Sequence, residues 1–177
     1  RTGNPENFKC IDDVMNAFVF QLQFMIGKMV KALASIEEGN RKFHPTPFTS
    51  AMTEGCVESG KDVTEGGAVY NLSGVQGVGV TDVGDSLSAL EELIFVKKKY
   101  SLAALIKALK NDFKGNEKMR LELMNSSKFG NDINSADSFS AWVSEAFYNS
   151  FEKHKNTRGG QCVAGYYSTT THYSFGK

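Results

Sequence analysis

Apolar residues near the start of the chain recur with the period of an α-helix. They are spaced three or four apart over Ile11, Val14, Met15, Phe18, Leu22, Met25, Ile26, Met29, Leu33 and Ile36. This spacing predicts one long amphipathic helix, which we expect Gly39-Asn40 to end. The prolines of His44-Pro45-Thr46-Pro47 predict an extended connector after it. A further short helix is expected from Phe48 to about Ser59.

Residues 60–84 have a different pattern, in which glycine alternates with β-branched residues, as in "GGAVYNLSGVQGVGV". This composition predicts loop and short strand. Asp62 precedes a glycine turn, where a carboxylate commonly accepts hydrogen bonds from backbone amides. Asp85 is then predicted to cap a helix, and Ser101 to cap the next one.

The last third of the chain predicts two more helices and a strand. One short helix is expected around Glu117 to Met124, and Asn134, followed three residues later by Asp137, is predicted to open the final helix. Arg158-Gly159-Gly160 interrupts the pattern, and "QCVAGYYSTTTHYSF" then has the composition of a strand. Because the two strand segments are far apart with helices between them, they can pair only with each other in parallel or with strands outside these 177 residues, as in helix-covered sheets or barrels.

Composition limits the possible functions. The 20 basic and 20 acidic side chains cancel, which argues against a nucleic-acid surface or a polybasic membrane patch. Cys10, Cys56 and Cys162 have no CxxC spacing, which favours reduced thiols and a cytoplasmic location. No uninterrupted run of about 18 apolar residues and no signal-peptide pattern is present. Because the chain begins at Arg1 and stops abruptly at Lys177, we interpret it as part of a longer protein.

Most motifs with known chemistry are missing. The glycine-rich run contains neither GxGxxG nor a Walker sequence, the three histidines form no metal-binding spacing, and no GxSxG is present. The remaining candidate is Cys56, with Glu58 two residues on. This thiol could serve as a nucleophile or hydrogen-atom carrier, but buried free cysteines are usually inert.

Several long segments resemble one enzyme family. "PFTSAMTEGCVESGKDVTEGGAVYNLSGVQGVGVTDVGDSLSALEELIF", "KFGNDINSADSFSAWVSEAFYNSF" and "GGQCVAGYYSTTTHYSFG" resemble, in the same order, stretches of the pyruvate formate-lyase-like glycyl radical enzymes. The subgroup most similar contains glycerol dehydratase, choline trimethylamine-lyase and the arylacetate decarboxylases. The resemblance implies an α/β fold: residues 1–177 would form part of a single ten-stranded α/β barrel domain, mostly helical with two short strand regions.

The resemblance also bears on Cys56. In this subgroup the catalytic cysteine usually lies in Gly-Cys-Val-Glu-Pro, with the glutamate as general base. Here Gly55-Cys56-Val57-Glu58 is followed by Ser59, and the flanking residues resemble a family segment well C-terminal of that loop. The Arg-Val-x-Gly-Tyr type of radical motif is also missing from these residues. We therefore expect no catalytic residue in this chain, and interpret Cys56 and Glu58 as an imitation of the catalytic pair.

The predicted substrate-binding residues lie on the two strand segments. Polar side chains at the carboxyl end of a barrel strand tend to face substrate, which favours Tyr70, Asn71 and Gln76. The alternative for Tyr70 and Gln76 is that they satisfy buried hydrogen bonds in the barrel wall. Thr170 and His172 are two residues apart, so that strand alternation places both on one face; a buried structural histidine is the alternative there.

The resemblance implies cleavage of a C–C, C–O or C–N bond of a small organic substrate in anaerobic metabolism. A cysteine thiyl radical would abstract hydrogen from substrate, fed by a glycyl radical that a radical S-adenosylmethionine iron–sulfur activating enzyme installs. Partners would be the small-molecule substrate, the activating enzyme and, at full length, a second copy in a homodimer, with no nucleic acid, membrane or metal. The alternatives are pyruvate formate-lyase (formate C-acetyltransferase) proper and a truncated non-catalytic paralogue. The 177 residues alone are expected to be inactive.

Overall fold

The N-terminal stripe forms a single long helix, α1, at Ile11–Phe43 in a computed structural model that describes residues 2–167. A short 3-10 helix, Pro5–Asn7, precedes it. The predicted end at Gly39-Asn40 is wrong, because both residues keep helical conformation and the helix continues to Phe43. It ends where Pro45 excludes His44 from helical backbone geometry.

The buried face of α1 differs from the predicted stripe at Met25, in the middle of the helix, and at Ile36, near its C-terminal end. Ile26 and Glu37 are buried, whereas Met25 and Ile36 are each 60% exposed. By length and composition α1 could cross a membrane, and 6% of its most apolar window is buried. One such helix is weak evidence, since a core helix of a soluble protein or a signal sequence has the same properties.

The short helix expected up to Ser59 is two helices, α2 at Pro47–Ala51 and α3 at Cys56–Ser59. Gly55 separates them with φ of +94°, a left-handed conformation that interrupts helical hydrogen bonding. A Cβ atom at Gly55 would lie 2.8 Å from the carbonyl oxygen of Gly67. The chain therefore turns here against the loop that follows α3.

The two strands pair with each other in parallel, which is one of the two predicted alternatives. Strand β1 is Ser73–Gly77 and strand β2 is Cys162–Tyr166, and their register places Ser73 beside Cys162 and Gln76 beside Gly165. A 3-10 helix, Val63–Glu65, lies before β1. The fold-class prediction of a mostly helical chain with two short parallel strands is therefore confirmed within residues 2–167.

The helix after β1 begins earlier than predicted. Helix α4 spans Val80–Leu90 and continues as a π-helix at Glu91–Val96. Asp85 therefore lies inside α4 and does not cap it; its Oδ1 accepts a hydrogen bond from the backbone N–H of Phe129 at 2.7 Å. Left-handed Gly79 precedes the helix instead.

The next three helices agree with the predictions. Helix α5 is Leu102–Lys110, and the Ser101 hydroxyl caps it by accepting from the N–H of Ala104 at 3.1 Å. Helix α6 is Glu117–Met124 and helix α7 is Asn134–Asn149. The start of α5 follows from a local capping signal, which a sequence carries directly, whereas α6 begins after Asn116 without a side-chain cap.

The described residues form two compact units, each with its own apolar core. One comprises 2–21 and 79–146, and the other 22–78 and 147–167. The first unit has two clusters of buried residues, one containing Ile94, Leu105, Ala108 and Met119 and the other Leu87, Phe139 and Val143. The second unit packs Ile26, Phe151 and Cys162 together, and it contains both strands and every residue described in the next subsection. That the whole chain belongs to a single barrel domain stays a prediction.

Candidate functional site

The two-stranded sheet has one face packed on helices and one open face. On the packed side, Val75 and Ala164 join the buried cluster around Phe151, and the Tyr166 ring lies 5.9 Å from that of Phe147. Side chains alternate between the faces of a strand. The opposite face, which we call the open face, therefore carries Gly74, Gln76, Val163 and Gly165. Gly74 and Gln76 on this face are exposed.

Gln76 lies on the open face near the carboxyl end of β1. Its amide lies against Gly165 of the neighbouring strand: a Cβ atom at Gly165 would be 2.7 Å from Nε2 and 2.8 Å from Oε1 of Gln76. Within residues 2–167 the amide takes part in no hydrogen bond. Whether Gln76 satisfies a buried hydrogen bond in the complete barrel wall stays a prediction.

The amino ends of both strands meet a buried polar cluster centred on Glu37 of α1. The Glu37 carboxylate forms an ion pair with Arg158, with 2.9 Å between Oε1 and Nη1, and accepts a hydrogen bond from the Ser73 hydroxyl. Thr157 donates to it twice, from its backbone N–H at 3.0 Å and its hydroxyl at 2.7 Å. Glu37 is 6% exposed, so the charge is held almost entirely by protein groups.

The same cluster ties the loop before β2 to the residues before β1. Nε of Arg158 donates to Oδ1 of Asn71 at 2.8 Å, and Nδ2 of Asn71 donates back to the carbonyl oxygen of Arg158 at 2.7 Å. Asn156 donates to the carbonyl oxygen of Asn71 at 2.9 Å and to the Ser73 hydroxyl at 3.1 Å. These contacts hold the amino ends of the two strands together.

The surroundings of the cluster shift the pKa of Glu37 and that of Cys162, which lies beside Ser73. Burial acts to raise the pKa of the Glu37 carboxyl, but the hydrogen bonds from Ser73 and Thr157 and the Arg158 charge outweigh it, so that the pKa lies below its usual value. Burial, with the Glu37 charge, raises the pKa of the Cys162 thiol. Glu37 is thus a structural anion, and Cys162 is a protonated core residue.

Cys56 and Glu58 have structural contacts. The Cys56 side chain is 3% exposed, and a Cβ atom at Gly67 would lie 3.0 Å from its Sγ, so that the loop after α3 covers the thiol. Oε2 of Glu58 accepts a hydrogen bond from the backbone N–H of Gly55 at 3.1 Å. The carboxylate therefore caps α3, which supports the interpretation that the pair imitates a catalytic motif.

Asp62 has the backbone-binding role expected from its turn. Its carboxylate accepts hydrogen bonds from the hydroxyls of Ser50 and Thr64 at 2.6 Å each, and from the N–H groups of Thr64 at 2.9 Å and Thr46 at 3.0 Å. The bonds from Ser50 and Thr64 lower the pKa of Asp62 to about 2. The carboxylate thereby joins α2 to the loop before β1.

We predict that the Asp62 site weakens only in strong acid. Because its pKa is lowered on folding, Asp62 contributes stability above its unfolded pKa of 3.8, and that contribution is lost as the pH falls toward 2. Hydrogen exchange at the Thr46 and Thr64 amides should accelerate over this range relative to the intrinsic rate at the same pH. Asp62→Asn should remove this pH dependence. A carboxyl resonance of Asp62 that titrates near 3.8 would contradict this.

The other predicted site residues have different placements. Tyr70 and Asn71 precede Ser73, the first residue of β1. Their predicted place at the carboxyl end of a strand is therefore wrong, because they lie at its amino end. Tyr70 is 86% exposed in this chain, so its alternative role in the complete barrel wall stays a prediction, and Asn71 belongs to the cluster around Glu37. Whether either residue contacts substrate stays a prediction. Thr170 and His172 lie outside the described residues.

The sequence predictions missed Glu37 and Arg158. One signal was available: Glu37 continues the spacing of four from Met29 through Leu33, so a carboxylate occupies the position where the buried face of α1 expects an apolar residue. A charge at such a position indicates a buried partner. Its partners Thr157 and Arg158, more than a hundred residues away, carry no comparable signal. No group of three or more His, Cys, Asp or Glu suited to a metal occurs in residues 2–167.

Comparison with known proteins gives consistent matches. The family model described as "Pyruvate formate lyase-like" matches residues 1–176. The chain is 35% identical to (2S)-3-sulfopropanediol dehydratase of Klebsiella oxytoca over 99% of its own length and 21% of that protein. It thus spans about a fifth of the length of the curated relatives it matches.

Two solved structures are also similar. The hydroxyproline dehydratase of Clostridioides difficile, with trans-4-hydroxy-L-proline bound, superimposes with a TM-score of 0.93 at 36% identity, over 99% of this chain and 22% of that one. The glycerol-bound B12-independent glycerol dehydratase of Clostridium butyricum gives a TM-score of 0.88 at 37% identity, over 92% of this chain and 21% of that one. The predicted fold, a segment of a glycyl radical enzyme barrel, is thereby confirmed.

Proposed function

Because the chain belongs to the pyruvate formate lyase-like family, we propose that it forms part of the barrel wall of a glycyl radical dehydratase. The enzyme would remove water from a small hydroxylated organic compound. The observation that carries the proposal is the similarity of nearly the whole chain to dehydratases, at 35–37% identity. Glycyl radical lyases and dehydratases form the broader group to which the relatives belong.

The proposed reaction breaks one C–O bond and releases one water. A hydrogen atom removed from the substrate at the start is returned to the product at the end, so that no external oxidant or reductant is consumed. The radical that removes it would be supplied by residues outside this chain, with cysteine and glycine as the radical-bearing residues. The described residues would supply the wall: helices cover one side of β1 and β2, and the uncovered open face would point into the barrel.

The position of the cluster around Glu37 supports this division of roles. In eight-stranded α/β barrels the carboxyl ends of the strands carry the reactive site and the amino ends serve stability, and we propose the same division for this barrel. Glu37, Ser73 and Arg158 lie at the amino ends of the strands, whereas Gln76 lies one residue before the carboxyl end of β1. The ion pair would therefore hold the wall together, and Gln76 would face substrate.

We also propose the partners that such chemistry requires. These are a radical S-adenosylmethionine iron–sulfur activating enzyme, which would install the glycyl radical, and a second copy of the full-length protein in a homodimer. A cytoplasmic location is part of the same proposal.

The test is anaerobic activation of the full-length protein with its activating enzyme. Electron paramagnetic resonance should show a glycyl radical, and one of glycerol, trans-4-hydroxy-L-proline or 3-sulfopropanediol should lose water. Formate release from pyruvate, with none of these compounds dehydrated, would favour a formate C-acetyltransferase. A protein that accepts no radical would be a non-catalytic paralogue, and the proposal would fail.

Cys56→Ser in the same full-length protein should retain turnover within about threefold, the effect of a mild change at a packed position. The reason is that the thiol is 3% exposed under the loop at Gly67 and Glu58 is engaged as a helix cap. The measurement is kcat at equal glycyl radical content. Turnover abolished while the radical signal persists would show that Cys56 carries the chemistry.

A further inference from the structure

Gly165 lets the Gln76 amide lie against β2, although its own backbone conformation does not call for glycine, and a side chain there would displace the flexible Gln76 side chain. Its φ lies outside the left-handed region, so any residue could adopt its conformation. A Cβ atom there would approach three atoms of the Gln76 amide to within 3.0 Å, closer than such contacts normally allow. Gly74, on the same face, differs: a Cβ atom there would meet only Nε2 of Gln76, at 4.0 Å. The missing side chain at Gly165 thus makes the space in which the Gln76 amide lies flat on the sheet.

The chemistry of this surface is neutral and suited to hydroxyl groups. A primary amide offers two N–H donors and a carbonyl acceptor, and within residues 2–167 these groups of Gln76 are not engaged. A hydroxyl group donates and accepts in the same way. The other residues of the open face are Gly74, Val163 and Gly165, so none of the four residues carries a charge.

We infer that Gln76 and Gly165 form a specificity-determining pair that binds a neutral hydroxylated substrate of the polyol type. This inference rests on the proposed function and narrows its substrate class. Gln76 would hydrogen-bond a substrate hydroxyl, and Gly165 would set the depth of the pocket by letting the amide lie against β2. A compound that places a carboxylate or sulfonate on this face would find no opposite charge there, and desolvation of its charge would go uncompensated.

The test measures binding separately from radical chemistry. Glycerol and trans-4-hydroxy-L-proline are titrated calorimetrically into the full-length, non-activated protein. Glycerol should bind more tightly than the amino acid. Gln76→Ala should weaken glycerol binding by roughly 3- to 10-fold, as expected for one lost hydrogen bond. Gly165→Ala should weaken it by a comparable factor because it displaces the amide.

A double-mutant cycle identifies the mechanism. In the Gln76→Ala background, Gly165→Ala should cause no further loss, since no amide remains to be displaced. Gly39→Ala is the control: it adds the same methyl group in α1, away from the open face, and should leave the Kd of glycerol within twofold. Gln76→Met keeps the side-chain length without the amide and should weaken binding as Gln76→Ala does, which gives a result even if Gly165→Ala fails to fold.

Three results would overturn the inference: tighter binding of trans-4-hydroxy-L-proline than of glycerol, a glycerol Kd unchanged in both Gln76 variants, or equal losses from Gly165→Ala with and without Gln76. Each is distinguishable from failure of the proposed function. An activated protein that dehydrates trans-4-hydroxy-L-proline but not glycerol would refute the inference and uphold the dehydratase. An activated protein that dehydrates no compound would refute both.

Discussion

Replacing Glu37 by alanine is expected to lower the free energy of unfolding of the 177-residue chain by about 3 to 5 kcal/mol, the range for breaking a buried ion pair by removing one partner. The loss would be large because the Arg158 side chain, 17% exposed, would keep its charge without a counter-ion. Ser73 and Thr157 would also lose their acceptor. Urea unfolding followed by circular dichroism measures the change.

Glu38 provides the matched control for this prediction. It is the next residue of α1, and its carboxylate also pairs with an arginine, Arg41, but the pair is exposed. Glu38→Ala should therefore cost less than about 1 kcal/mol. Equal effects of the two alanine variants would contradict the structural role assigned to Glu37.

The Glu37 contribution should also depend on pH in a defined direction. The pKa of Glu37 is lowered on folding from an ordinary value of 4.5. Its contribution is therefore complete above that value and is lost as the pH falls through the folded pKa. Glu37→Gln should be less sensitive to acid than the wild-type chain.

Gly160→Ala is expected to destabilise the chain by at least about 2 kcal/mol, because overpacking against backbone leaves little room for relaxation. A Cβ atom at Gly160 would lie 1.5 Å from the carbonyl oxygen of Asn71 and 2.6 Å from its carbonyl carbon. The segments before β1 and β2 would have to separate, and the hydrogen bond from Asn156 to the Asn71 carbonyl oxygen would be strained. Thermal and urea unfolding measure the effect.

Gly39→Ala is the comparison variant for Gly160. Gly39 lies within α1, and nothing is within 4 Å of where its Cβ would be. Alanine there should stabilise the chain by roughly 0.5 to 1 kcal/mol through helix propensity. If Gly160→Ala proved as harmless as Gly39→Ala, the close approach of the two loops would be refuted.

The parts of the fold that the sequence predicts are those with local signals. Ser101 caps α5 as expected. The parallel pairing of β1 with β2 was one of two alternatives that their separation along the chain allowed. Errors arose where a local signal was overridden. Asp85 resembles a cap but lies inside α4, because left-handed Gly79 lets that helix begin earlier. Gly39-Asn40 resembles a stop, but the helix continues until the proline connector.

In the candidate site, too, local patterns predict single residues but not the contacts between residues that are distant in sequence. Gln76 was predicted from the sequence because a polar residue near a strand end is a local feature. Its relation to Gly165 depends on the register of two strands far apart in sequence, which no pattern in either strand specifies. Glu37 and Arg158 are 121 residues apart, and no local pattern links them. Tyr70 and Asn71 were predicted at the wrong end of the strand because no local pattern marks Ser73 as the first residue of β1.

The most direct test of the central claim, that substrate lies on the open face of β1 and β2 and not beside Cys56, is a crystal structure of the full-length protein with glycerol bound. We predict a glycerol oxygen within about 3.2 Å of the Gln76 amide, the upper range of a good hydrogen bond, with the Cys56 thiol still covered by the loop at Gly67. Glycerol bound against an uncovered Cys56 thiol, with Gln76 remote from it, would contradict the account.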